Sequence, residues 1–168
     1  VIRNVFSRLA GKGLLEHIPR RGWKLRPLRQ QDMDAFGEVR VAMELLALKL
    51  AKTRLVEEDL RRMLDNHWMP STEHEQPKTD NSLHAYLVDK ADNDYIRDFF
   101  DRHGWYYLML FDEELFSREA AIDTVRQHQA ILQALIARDW DVAAKALEAH
   151  LRYDYTVLRE MNLDAHLP

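Results

Sequence analysis

The sequence predicts a mainly α-helical protein in which a bundle of about six antiparallel helices follows a small basic head. Apolar residues recur at helical spacing from Asp32 onward, and that part of the chain lacks the apolar–polar alternation typical of strands. A short hairpin pattern is confined to the segment before Arg26. Elements of this kind bury their apolar faces by packing helix against helix.

The head combines one helix with one hairpin. Helical spacing begins at Ile2, and Gly11 or Gly13 is expected to end that helix. Leu14–Leu25 predicts two short strands, with turn-forming residues at Pro19–Gly22. A helix followed by a hairpin is the second half of a winged helix-turn-helix.

The helical domain is predicted from its inward apolar faces. The first helix begins near Asp32 and carries one such face, and Met69–Thr79 is expected to be a loop because it contains two prolines and many charges. The inward face of the first helix is predicted to comprise Phe36, Val39, Met43, Leu46, Ala47 and Leu50. Five further helices are expected at 56–67, 80–91, 96–110, 125–138 and, capped by Asp139 or Asp141, through 151.

The distribution of charge divides the chain at the same place as the hydrophobic pattern does, between the head and the helical domain. We assign residues 1–26 to a partial winged helix-turn-helix, 27–31 to a linker and 32–168 to the helical domain. The head carries a net charge of +6 and the remainder −10, so that only the head is suited to a polyanion. A solvated cluster of charges is the alternative interpretation.

The composition narrows the class of protein. No apolar run approaches the ~18 residues of a membrane span, so no membrane partner is expected. Cysteine is absent, which excludes disulfides and thiolate metal ligands and fits a cytoplasmic protein. The chain opens without methionine, inside a predicted helix, and we expect it to be a fragment of a longer protein.

Four residues on three predicted helices form a candidate metal site. Asp80 and His84 lie one helical turn apart, and His128 and His150 follow at separations of 44 and 22 residues. All three histidines fall on apolar faces and should point into the bundle. One carboxylate and three imidazoles suit a divalent transition metal.

Two alternatives remain open for these four residues. A single histidine on an apolar face is more often a hydrogen-bonded core residue than a ligand. A metal with open coordination positions could also activate water, which would make the protein a metal-dependent hydrolase or lyase. No convincing general base is identifiable among Asp112, Glu113, Glu114 and His103, and we therefore do not expect an enzyme.

Several motifs resemble the GntR family of bacterial transcription regulators, and within it the FadR subfamily with its all-helical effector domain. V-I-R-N-V-F-S-R-L-A-G-K-G-L-L-E-H-I-P-R-R-G-W-K-L, from Val1, is similar to the family's recognition helix and wing, although Val1 and Asn4 depart from its proline and glutamate. R-V-A-M-E, from Arg40, is similar to R-x-x-[LM]-E, and D-N-S-L-H, ending at His84, to D-x-x-[FL]-H. The stretch from Gln127 to Leu151 is similar to the family's closing E-H…D…H-L pattern, with glutamine in place of the first glutamate.

The resemblance implies a function for the helical domain. Asp80, His84, His128 and His150 would hold zinc, nickel or manganese, and the ion would help to bind a small organic acid in the bundle cavity. Arg40 would pair with a carboxylate of that effector, or alternatively form a salt bridge with Glu44. The residues assigned to effector binding are Arg40, Asn93, His103 and Tyr107.

The resemblance also implies a DNA-binding role for the head. The recognition helix would enter the major groove and the wing would approach the minor groove or the backbone. The family acts as a homodimer on palindromic double-stranded operator DNA. The residues assigned to DNA binding are Arg3, Arg8, Arg20, Arg21 and Gly22. We therefore expect a ligand-responsive transcription regulator; a purely structural metal is the weaker alternative.

Overall fold

A computed structural model describes residues 2–26, 29–70, 72, 75, 77, 81–104 and 117–160, except for the side chains of 158–160. Seven helices and one hairpin are formed by these residues. In chain order they are α1 (Ile2–Gly11), β1 (Leu15–Ile18), β2 (Gly22–Leu25), α2 (Gln30–Ala51), α3 (Glu57–Asn66), α4 (Ser82–Ala91), α5 (Asp94–His103), α6 (Arg118–Ile136) and α7 (Trp140–Glu160). The mainly helical fold predicted from the sequence is confirmed.

The head has the predicted helix and hairpin. Strands β1 and β2 pair antiparallel, with Leu15 opposite Leu25 and Ile18 opposite Gly22. Gly22 adopts a φ of 94°, a conformation that glycine reaches without steric cost, and this allows the tight turn. The Trp23 ring packs 6.0 Å from that of Phe6, which joins the hairpin to α1.

Among the described residues, the bundle core is built from five helices. Helix α2 packs against α4 and α7, α6 packs against α7, and α3 packs against α6. The fully buried apolar side chains at the centre include Leu48, Leu83, Leu87, Ile131, Leu132, Leu135, Leu147 and Leu151. Their burial, at roughly 25 cal/mol per Å² of apolar surface, is the main force that holds these helices together.

The inward face of α2 differs from the sequence prediction. Phe36 and Ala47 are buried as expected, but Val39, Leu46 and Leu50 are 36–41 % exposed. The helix has apolar residues around much of its circumference, so that helical spacing alone cannot select the core-facing side. The side that packs inward instead carries the charged residues Arg40 and Glu44.

Several predicted boundaries shift in the structure. Helix α2 already begins at Gln30, inside the predicted linker, of which Pro27 and Leu28 lie outside the described residues. Asn93 does not end α4: Asp92 does so in a left-handed conformation, and the Asn93 side chain accepts hydrogen bonds from the first amides of α5. Asp139 caps α7, since its carboxylate accepts from the Val142 amide at 3.2 Å. None of the described helices is sufficiently long and apolar to cross a membrane.

Gly37 allows α2 and α7 to approach closely. A Cβ atom at this position would lie 2.8 Å from three carbons of the Tyr155 ring. Contacts below 3.0 Å require one of the two helices or the ring to move. The absence of a side chain at Gly37 is therefore a packing requirement of the α2–α7 interface.

We expect Gly37→Ala to lower the free energy of unfolding by about 1–3 kcal/mol, because overpacking of the interface outweighs the ~1 kcal/mol by which alanine favours a helix. Urea denaturation measures the effect. In a Tyr155→Ala background the same substitution should become neutral or stabilising. An equal loss in both backgrounds would show that the Tyr155 ring is not the obstacle. Gly11→Ala, at a position with open space, is the matched control and should have little effect.

Candidate metal centre

Three histidines from three helices converge inside the bundle. His84 lies on α4, His128 on α6 and His150 on α7, and all are at most 6 % exposed. Their Nε2 atoms form a nearly regular triangle: His84 to His128 is 3.2 Å, His128 to His150 is 3.0 Å, and His150 to His84 is 3.2 Å. We refer to His84, His128 and His150 as the three-histidine centre.

The outer nitrogens of His84 and His150 are each bound to an oxygen acceptor. His84 Nδ1 lies 2.5 Å from Glu44 Oε2, and His150 Nδ1 lies 2.8 Å from Gln127 Oε1. A carboxylate or amide oxygen accepts a hydrogen bond, so each Nδ1 must carry the proton. In a neutral imidazole this leaves Nε2 with an unprotonated lone pair.

The Nδ1–H of the third imidazole, that of His128, is accepted by a fourth histidine, His67. His67 Nδ1 lies 2.7 Å from the Met63 carbonyl oxygen and donates its proton there. His67 Nε2 is consequently an acceptor, and it receives the Nδ1–H of His128 at 2.8 Å. His128 Nε2 is therefore unprotonated as well.

Three lone pairs thus point at one small volume. Burial, followed by the influence of neighbouring histidines, lowers the pKa of both His128 and His150 well below 6.5, which favours their neutral forms. A metal about 2.0–2.1 Å from each nitrogen would hold the nitrogens about 3.0 Å apart at right angles or about 3.4 Å apart in a tetrahedron. The observed 3.0–3.2 Å lies between these values. The three-histidine centre could hold a divalent metal ion.

A buried cluster of charged residues adjoins the centre. Arg40 donates from Nε to Glu44 Oε1 at 2.6 Å and from Nη1 to Asp154 Oδ2 at 3.5 Å, and the three side chains are at most 2 % exposed. Burial alone would raise the pKa of Glu44, but His84 and Arg40 lower it to about 2. Burial raises the pKa of Asp154 to about 7, against the opposing influence of Arg40. Glu44 is thus an ionised carboxylate that fixes both Arg40 and His84.

A cleft of about 520 Å³ lies beside the centre, between α4 and α5. Arg40 and His84 contribute to its lining, together with the apolar side chains of Val88 and Phe100. Arg97 of α5 and Lys12 of the head also line it, and the Lys12 ammonium donates to the Asp101 carbonyl oxygen at 3.3 Å. Two acidic residues, Asp89 and Asp101, complete the charged part of the lining. The cleft therefore combines an apolar wall with basic and acidic groups and one metal-ligating candidate.

The structure brings three of the four predicted metal ligands together. Asp80 lies outside the described residues, as does Tyr107, one of the predicted effector-binding residues. His103 is exposed, with its ring beside that of Phe99, and neither His103 nor Asn93 is among the residues lining the cleft. Arg40 forms the salt bridge with Glu44 that was the alternative expectation, and it also lines the cleft. Its pairing with an effector carboxylate stays a prediction.

Sequence reasoning missed two members of the buried network. His67 lies at the end of the predicted helix 56–67, and no sequence pattern connects it to His128, 61 residues away. Asp154 follows His150 at i,i+4, a spacing that could have identified it. The shared helix face was the available signal for Asp154, whereas no local pattern links His67 to His128.

The predicted DNA-contacting residues lie at the surface of the head. Arg3 and Arg8 are exposed on α1, which has no buried residue. Arg20 and Arg21 are exposed at the hairpin turn, directly before Gly22. Four guanidinium groups are thus available to solvent on the two elements that the sequence assigns to recognition helix and wing.

The fold and the centre together define an all-helical domain with an internal histidine centre and an adjoining cleft. The sequence matches the FCD domain over residues 36–153, and the chain belongs to this family. The fold is similar to that of a transcriptional regulator, a GntR family member, from Pseudomonas syringae pv. tomato str. DC3000. The match has a TM-score of 0.50 and 19 % identity, and it covers 95 % of this chain and 68 % of that chain. No curated protein matches the sequence.

Replacing Arg40 should reveal the cost of its two buried carboxylates. We expect Arg40→Met to lower the free energy of unfolding of the metal-free protein by about 3–5 kcal/mol, because Glu44 and Asp154 lose their counter-ion. Chemical denaturation measures the loss. Arg61→Met removes an exposed ion pair with Glu57 and should cost no more than about 1 kcal/mol. Comparable losses in the two variants would contradict this account of the cluster.

Proposed function

We propose that this chain is part of a GntR-type, ligand-responsive DNA-binding transcription regulator of the FadR subfamily. Its FCD domain would bind a divalent metal through Asp80, His84, His128 and His150, and zinc, nickel and manganese are the candidate ions. The observation that carries the proposal is the convergence of three Nε2 lone pairs at one buried point. Unprotonated lone pairs at this separation repel one another unless a cation lies between them.

The effector that we propose is a small organic acid. Three neutral imidazoles and one aspartate leave a divalent ion with a net charge near +1, and an anionic ligand can complete its coordination. The cleft beside His84 offers the space, an apolar wall and the basic side chains of Arg40 and Arg97, although Arg40 is already paired with Glu44 and Asp154. Among the other predicted contacts, Asn93 has a capping role in α5, whereas His103 and Tyr107 stay predictions.

The proposed partner of the head is double-stranded operator DNA. The exposed Arg3, Arg8, Arg20 and Arg21 would contact the duplex, and Gly22 would let the backbone approach it. A homodimer would place two heads on a palindromic site, in the cytoplasm. An effector that binds more tightly to one arrangement of the two heads would then shift DNA binding.

The metal proposal has a direct test. Elemental analysis of the purified protein should find about one equivalent of a transition metal, and the His128→Ala/His150→Ala variant should contain none, because too few ligands remain. His17→Ala, in the head, is the control and should retain the metal. If the unsubstituted protein took up no metal after reconstitution, the centre would be a group of core histidines.

The DNA proposal is tested on the full-length protein with its own promoter. Fluorescence anisotropy should show binding that weakens steeply with salt, because phosphate contacts release counter-ions. Arg3→Ala should weaken binding by about 1–3 kcal/mol if the arginine contacts a base edge. Arg126→Ala, on the exposed face of α6, is the matched control and should leave binding unchanged. Absence of specific, salt-dependent binding with and without organic acids would exclude the proposed regulator.

A further inference from the structure

The three histidines of the centre differ in the charge of the group that accepts the hydrogen bond from Nδ1–H. His84 donates to the ionised carboxylate of Glu44, whereas His150 donates to the neutral amide oxygen of Gln127. His128 donates to Nε2 of His67, whose own Nδ1–H donates to the Met63 carbonyl oxygen. Two of the three supporting acceptors are therefore uncharged.

These acceptors determine which ring nitrogen carries the proton. Without an acceptor at Nδ1, an imidazole can place its proton on Nε2, and it then presents no lone pair to a metal. His67 is well suited to this task, since its ring is buried, its Nδ1 is held at 2.7 Å and its backbone carbonyl accepts from the Gln129 amide at 2.8 Å. The orientation of His67 is thus fixed from both its side chain and its backbone.

The charge of the acceptors determines how much of the ion's charge remains. A carboxylate behind each imidazole would make the ligands more basic and would place more negative charge near the ion. Glu44 supplies such a charge, but Arg40 lies 2.6 Å from it and compensates it. A second buried carboxylate, Asp154, lies 3.5 Å from His150 Nε2 and shares Arg40 with Glu44. Gln127 and His67 add no further negative charge, so that these two positions leave the charge of a bound ion undiminished.

We propose that His67 and Gln127 are positioning residues that hold His128 and His150 with unprotonated Nε2 atoms, and that their neutrality makes the metal-loaded centre selective for anionic ligands. This inference rests on the proposed metal site. In this proposal, His67 and Gln127 do not themselves coordinate the metal. They determine how readily the three-histidine centre binds an ion and how much positive charge that ion retains.

The first arm of the test concerns the proton position. In metal-free protein, ¹⁵N NMR of the histidine side chains should show His128 with its proton on Nδ1. His67→Phe removes the acceptor, so that this signal should change to a mixture of tautomers and chelator competition should show zinc affinity about 10–100-fold weaker. His67→Gln restores a neutral acceptor and should recover most of that affinity. Equal affinities in the Phe and Gln variants would overturn the positioning role.

The second arm concerns charge. Gln127→Glu should bind zinc more tightly than the unsubstituted protein, yet the zinc-loaded variant should bind acetate severalfold more weakly. Gln133→Glu, exposed on the same helix, adds the same charge away from the centre and is the matched control. Parallel changes in zinc and acetate affinity, or no acetate binding to either protein, would overturn the selectivity.

The two proposals fail in different ways. If the unsubstituted protein binds no zinc, the proposed metal site is wrong, while the NMR spectra of the metal-free protein still report the role of His67. If it binds zinc with unchanged affinity in His67→Phe and Gln127→Glu, the metal site stands and the role of the supporting acceptors is wrong.

Discussion

The centre of this bundle depends on one buried guanidinium. Arg40 lies between two carboxylates, Glu44 on its own helix and Asp154 on α7. Glu44 in turn holds the Nδ1–H of His84 on α4, so that one chain of polar contacts joins three helices. Buried ion pairs add little net stability compared with apolar packing, but removal of one partner is costly. The cluster therefore acts mainly to determine which faces of α2, α4 and α7 pack together. It also determines the position of the His84 imidazole.

The helical fold and the convergence of the three histidines could be predicted from the sequence, and the reason is physical. Helical periodicity identifies residues on one face of one helix, and the three histidines each fall in register with buried apolar neighbours such as Leu83, Ile131 and Leu147. Ligands that must meet inside a bundle have to lie on such faces. Their convergence could be inferred from three local patterns without knowledge of how the helices cross.

Where the local pattern is ambiguous, prediction from sequence failed. Helix α2 presents apolar residues in several directions, and tertiary packing turned Arg40 and Glu44 inward while it left Leu46 partly exposed. The pairing of His67 with His128 depends on how α3 lies across α6, which periodicity does not specify. The motifs indicate a family and an expected function, whereas the hydrogen bonds that support the three histidines depend on the tertiary structure.

The joint between α4 and α5 has a consequence for how a molecule could enter the cleft. Asp92, with a φ of 51°, ends one helix, and Asn93 caps the next with its side chain. The Asp92 amide donates back to the Asp89 carbonyl, and the Asn93 side chain accepts from two amides of α5, so that the joint constrains the angle between the helices. Helices α4 and α5 form two walls of the cleft, so the joint also constrains the shape of the cleft. A ligand that enters the cleft therefore meets walls whose relative angle is constrained by this joint, in addition to the charged groups that line them.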